Sequence, residues 1–219
     1  MSGSKMRFNG YRVFGFPRSG SCITAYLIGT NFFGLKTLDR ASVSNVSSAL
    51  VIEKARKNNQ AIICTWRNFV HSAKSLYAIR SRFGIGDISL ADFMDTPLKK
   101  MPRVSGCQTP IVFNNGDTKE VSDLVRSSWN DREDTVREWW TKCIEFWTKQ
   151  AIGSQDILVT NYESLVSEFH GTMLRIAVFL GSDKRSFVNR DERVGIYPVG
   201  GDCANVLERN REVLGFDNA

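Results

Sequence analysis

No Cys-x-x-Cys pair occurs in the chain, and its five cysteines (Cys22, Cys64, Cys107, Cys143 and Cys203) are an odd number set far apart. Disulfide frameworks and zinc sites both need clustered ligands, so neither is expected, and the thiols are read as reduced. No apolar run reaches the length that crosses a bilayer, which argues against a membrane-spanning helix. The opening residues, MSGSKMRFNGYR, lack the apolar core of a secretory signal, so a cytoplasmic chain is expected. Internal repeats and low-complexity tracts are missing too, which sets aside solenoids and biased linkers. Histidine is scarce: His71 and His170 are the two in the chain.

What is present suits a globular protein. With 219 residues, 42% of them hydrophobic and 24% charged, the chain can bury one sizeable core and is read as a single domain over residues 1–219. A net charge of +6 and a pI near 9.2 favour anionic partners. The basic residues are spread along the chain and not gathered in a tail, so a polyanionic cofactor or an acidic substrate fits as well as nucleic acid does.

Strand and helix patterns alternate. Val13, Phe14 and Phe16 form an apolar run, and a helical pattern follows over residues 23–33, ending near Gly34. Residues 35–38 read as a short second strand ending at Asp39. A helix is expected within 42–60, with Val46, Leu50 and Ala55 at helical spacing. The run AIICTW, residues 61–66, is of the kind a parallel sheet buries on both faces. A helix over 69–83 capped by Asn68 follows, then a short helix, LADFMD, capped by Ser89. Residues 131–150 form an amphipathic pattern through Val136, Trp139, Trp140, Cys143, Phe146 and Trp147, read as core. A strand at 156–160, a helix over 167–180 closed by Gly181, and a last short helix over 205–214 complete the series. Residues 96–130 show no period and read as a long, substrate-facing loop. The whole is an α/β fold, a central parallel sheet flanked by helices in three layers.

Residues 12–24, RVFGFPRSGSCIT, take a strand through a tight turn into a helix. Such a junction aims backbone N–H groups and the positive end of the helix dipole at one spot, and a phosphate is its natural guest. Gly15 and Gly20 are separated by four residues as in nucleoside-triphosphate loops, but Ser21 and Cys22 stand where lysine and a Mg²⁺-binding hydroxyl are needed. A phosphate without a metal-bridged triphosphate fits better. In a parallel sheet ligands collect at the carboxyl ends of the strands, and two further polar groups fall there: Arg67 with the helix after it, and Tyr162-Glu163. A guanidinium at Arg67 and a hydroxyl at Ser75, about two turns on, can clamp a second phosphate, which implies a nucleotide phosphorylated at two places.

These stretches resemble a known family. FPRSGS resembles the 5′-phosphosulfate loop of sulfotransferases that use 3′-phosphoadenylyl sulfate (PAPS), and TWRNFVHSAKS resembles their 3′-phosphate motif, an arginine and a serine eight apart. The WW and FW pairs, DILVTNYESL and then FLG resemble the family's tryptophan-rich helix, its late strand with Tyr-Glu and its Phe-Leu-Gly ending. The resemblance runs from about residue 12 to 181 in the family's order and implies a P-loop-like fold. It also implies PAPS as sulfate donor, 3′-phosphoadenosine 5′-phosphate (PAP) as product, and no metal. The acceptor it implies is a carbohydrate, peptide or small molecule, with no membrane and no nucleic acid as partner.

By the same resemblance Arg18, Ser19, Gly20, Ser21, Cys22, Arg67, Ser75 and Tyr162 bind the nucleotide, Tyr162 near the adenine. Arg18 is also catalytic, relieving charge on the leaving phosphate as the arginine of the tyrosylprotein group does. Counting along that group's pattern brings its base to Asp39, with Glu53 in reserve and the two histidines as bystanders. Departures are Phe69 for a frequent proline, His71 for a frequent aspartate and Cys22 for a usual threonine, which costs one side-chain hydrogen bond to the 5′-phosphate. GGDCAN is similar to a late family stretch but lacks its preceding Arg-Lys-Gly, leaving Arg190 and Arg193 as candidates over the adenosine. Two rival readings share the loop: a Mg²⁺-dependent small-molecule or nucleotide kinase, disfavoured by Ser21 and Cys22, and a non-catalytic polyanion binder suggested by the charge.

Overall fold

The computed structural model describes residues 6–36, 39, 42–45, 47–104 and 132–189. Its centre is a four-stranded sheet in the order β2-β1-β3-β4, with β1 at Gly10–Phe14, β2 at Val43–Ser44, β3 at Gln60–Trp66 and β4 at Ile157–Asn161. All pairings are parallel: Val13 lies opposite Val43, Phe14 opposite Cys64, and Trp66 opposite Asn161.

Alternation along the strands explains the layers. Phe14, Ile62 and Cys64 face one core, shared with α2 (Ala49–Lys57), α3 (Phe69–Tyr77), α4 (Leu90–Asp95) and α5 (Val136–Ala151). Their neighbours Tyr11, Val13, Ala61 and Ile63 face the other, shared with α1 (Ser21–Phe32), α6 (Tyr162–Ser167) and α7 (Phe169–Leu180). Successive strand side chains point to opposite faces, and with both faces covered the strands need continuous apolar runs. Trp147 is fully buried and stacks on Phe14 at 4.8 Å between ring centres, pinning α5 under the end of β1.

Local signals set most boundaries. Asn68 accepts from the Val70 N–H and Ser89 from the Asp92 N–H, as expected of caps. Thr135 and Glu138 form a reciprocal capping box, which is why α5 starts at Val136 and not near 131. The helix expected over 69–83 ends at Tyr77 and continues as a 3₁₀ turn, Arg80–Phe83, before Gly84. Tyr162 and Glu163 open a helix of their own, separated at Glu168 from the one expected over 167–180.

Two expectations are corrected. Leu35 is not in a strand; Gly34 turns the chain at φ +67° and the Leu35 N–H bonds back to the Gly29 carbonyl, so this residue closes α1. The second strand is Val43–Ser44, taken from the front of the segment read as helix. In α2 the buried face is Val51, Ile52 and Ala55, while Leu50 is 51% exposed. Val46, most of the long loop (105–131), the helix expected over 205–214, Arg190, Arg193, Cys107 and Cys203 lie outside the described residues. Cys22, Cys64 and Cys143 are unbridged.

Candidate active site

The chain leaves β1 toward β2 on one side and β3 on the other, so the carboxyl ends of β1 and β3 flank the point where strand order reverses. Open α/β sheets form their ligand crevice there. The turn at residues 15–20 is forced into shape by contact. A Cβ on Gly15 would collide with Ser19 Oγ and the Thr65 carbonyl, and one on Gly20 with the Tyr162 ring. Gly20 has φ +87° and Arg18, a non-glycine residue, φ +67°. The Ser19 N–H closes the turn on the Phe16 carbonyl at 3.0 Å, and α1 begins at once, with no side-chain cap and no acidic residue in its first turn. Its opening N–H groups and dipole are therefore directed at whatever the turn holds. Ser19 and Ser21 are buried here and Cys22 is half-buried.

The second half comes from β3. Arg67 follows the last residue of the strand and is only 4% exposed. Burial pulls its guanidinium below the ordinary arginine range and the charge of Arg18 pushes the same way, while Tyr162 and Glu163 oppose the shift. Its guanidinium lies 4.9 Å over the Tyr162 ring. Arg18 Nε donates to Ser75 Oγ at 3.0 Å, which ties the turn after β1 to the helix after β3. Tyr162, at the end of β4, is 1% exposed and fills the space between Gly20 and Arg67. Arg18, Ser19, Gly20, Arg67, Ser75 and Tyr162 thus meet at the carboxyl ends of three strands, joined by Ser21 and Cys22 on α1.

Asp39 is placed differently. It is exposed, and instead of leaving a strand it precedes β2, whose carboxyl end is fixed beside the turn by the bond from the Gly15 N–H to the Ser44 carbonyl. Its carbonyl accepts from the backbone and side chain of Ser42. Burial chiefly, with the Asp39 charge adding to it, pushes the Tyr11 phenol up to about 12. Counting residues from the turn does not show this, because Leu35 bonds back to α1 and β2 begins only at Val43. Glu53 is exposed on α2, and His170 packs beside Phe187.

Trp140, which the sequence pattern assigned to the core, and Glu163, at the end of β4, hold the Arg67 arm. Trp140 Nε1 donates to the Arg67 carbonyl at 3.1 Å, and Glu163 accepts from the Asn68 N–H at 2.9 Å. Glu163 also lies 3.7 Å from His71 Nδ1. Phe69 meets Trp140 edge-on at 5.7 Å, which gives the residue found in place of proline a packing role. Nothing in the spacing of WW tells which indole N–H will face a backbone carbonyl. Among the described residues no group of three or more side chains is arranged to hold a metal ion, and no helix is long and apolar enough to cross a membrane.

A family model described as "Sulfotransferase domain" matches residues 34–194, well over half the chain. The match begins after the turn at 15–20, so the reading of that turn stands on its own geometry. Among curated proteins no match is found. Among solved structures the chain is similar to mouse sulfotransferase SULT7A1 complexed with PAP, with a TM-score of 0.51 and 13% identity over 91% of this chain and 70% of that one. Identity that low speaks for a shared fold.

Proposed function

The chain belongs to the sulfotransferase domain family, and on that premise we propose that it transfers the sulfuryl group of PAPS to a hydroxyl or amine, releasing PAP, through the site described above. The observation that carries the site assignment is the convergence of two arginines, Arg18 on the turn and the buried Arg67 on the arm, at the strand-order reversal. A nucleotide phosphorylated at two places matches two such cationic centres.

PAPS supplies an activated sulfuryl group, and the protein's task is positioning and charge. The turn and the first N–H groups of α1 hold the 5′-phosphate, with Ser19, Gly20, Ser21 and Cys22 forming the cradle. Arg67 and Ser75 take the 3′-phosphate. Tyr162 walls the nucleotide side between Gly20 and Arg67. Arg18 stabilises the charge gathering on the leaving phosphate as the sulfur–oxygen bond breaks, while the acceptor oxygen or nitrogen bonds to sulfur and gives up its proton to a general base. The acceptor, a carbohydrate, peptide or small molecule, is chosen by the segment 96–130, within one domain.

Calorimetric titration tests the reading. PAP is expected to bind without metal, and Arg67→Ala to weaken it by about 2 kcal/mol. Binding of ATP with Mg²⁺ but not of PAP would return the chain to the kinase chemistry that Ser21 and Cys22 disfavour.

A further inference from the structure

The peptide that joins Arg67 to Asn68 is gripped at both of its polar atoms. Its carbonyl accepts from Trp140 Nε1 at 3.1 Å, and its N–H donates to Glu163 Oε1 at 2.9 Å. The partners come from different elements, Trp140 from the second turn of α5 and Glu163 from the first turn of α6. The sheet's own ladder ends one residue earlier, where Trp66 pairs with Asn161. Past that point the two side chains carry the grip on for one more peptide.

Peptide units are planar, so holding this one while the ladder holds the strand before it sets the Arg67 backbone between two held planes, and with it the direction in which the Arg67 side chain leaves. The surroundings reinforce the hold. Asn68 caps α3 through the Val70 N–H at 2.9 Å, and Arg137 covers the Phe69 ring at 4.6 Å while that ring packs on Trp140. An arginine only 4% exposed needs such direction, since a buried guanidinium pointing away from its anion has little water to turn to.

We propose that Trp140 and Glu163 are positioning residues: together they clamp the Arg67–Asn68 peptide and aim Arg67 at the 3′-phosphate. The inference rests on the nucleotide reading above. It assigns a task in the site to one tryptophan of a helix otherwise devoted to the core, and to a carboxylate that stands next to an anion site without being repelled from it, because an N–H and His71 face it.

The test compares PAP with adenosine 5′-phosphate, which lacks the 3′-phosphate, by calorimetry on the full chain, with a thermal melt for each variant. Trp140→Phe and Glu163→Ala are each expected to cut the preference for PAP about 5-fold while leaving adenosine 5′-phosphate unchanged. Glu163→Gln, whose amide oxygen still accepts from the Asn68 N–H, is expected to keep the preference within about 2-fold. Because both groups act on one peptide, the Trp140→Phe/Glu163→Ala double variant should lose no more than about 2-fold beyond the worse single. Equal weakening of both nucleotides would reduce the clamp to packing. Tighter PAP binding by Glu163→Ala would leave the carboxylate as a like charge and nothing more; either result overturns the proposal. If Glu163→Ala does not fold, Glu163→Gln and Trp140→Phe still decide it. A wild-type chain indifferent to the 3′-phosphate would instead sink the nucleotide reading, and the clamp with it.

Discussion

The turn that leaves β1 and the arm that leaves β3 stand side by side at the carboxyl end of the sheet, yet they are built by opposite means. The turn works through its main chain. Two glycines admit a close approach that any Cβ would block, and the start of α1 does the rest. The arm works through side chains, a buried guanidinium over a tyrosine ring and a serine one helix away, and its backbone is held by groups from two other elements. A main-chain cradle is indifferent to most side chains but intolerant of added atoms. A side-chain clamp is the reverse: it tolerates truncation sterically and fails when one charged group goes.

That contrast can be broken or sharpened by four variants. The largest effect is expected from Gly20→Ala, which forces an L-residue to φ +87° and drives a methyl into the Tyr162 ring. Together these cost about 3 kcal/mol of stability, to be measured by urea unfolding, and binding of PAP and of adenosine 5′-phosphate should fall together. Next comes Arg67→Ala, with about 2 kcal/mol lost on PAP and no change on adenosine 5′-phosphate, read by calorimetry. If both nucleotides weakened alike, the two regions would not be separate sites. Ser75→Ala removes a neutral partner and should cost about 1 kcal/mol on PAP, again sparing the nucleotide without a 3′-phosphate. The smallest effect is expected from Asp39→Asn. An exposed residue on the amino side of β2 should leave sulfuryl transfer within about 3-fold, followed as PAP release from PAPS in the presence of an acceptor. A fall of about 100-fold with unchanged PAP affinity would identify Asp39 as the base.

The turn was the more legible of the two regions. Gly15 and Gly20 at their spacing, after an apolar run and before a helical one, are enough to foresee a strand, a tight loop and a helix start, and all three are found. The arm was legible only as residue types. Arg67 at a strand exit and Ser75 eight residues on could be named, but the bond from Arg18 to Ser75 joins residues from two separate βα junctions and exists only once β1 and β3 pair. Asp39 shows what counting leaves open. The apolar pattern at 35–38 suggested a strand, and the chain used Leu35 to close α1 instead, because a helix end with unbonded carbonyls competes for the same N–H.

By itself the sequence determined the alternation of strands and helices, the two-faced burial of Val13, Phe14 and residues 61–64, the caps at Asn68 and Ser89, and the phosphate-loop shape after β1. These rest on local periodicity and on backbone conformations that few residues permit. Only the tertiary structure decided that β2 starts at Val43, that Tyr162 fills the gap between Gly20 and Arg67, and that Trp140 and Glu163 hold one peptide between them. Those contacts join segments far apart in the chain, and their partners are chosen by packing geometry, which no local pattern encodes.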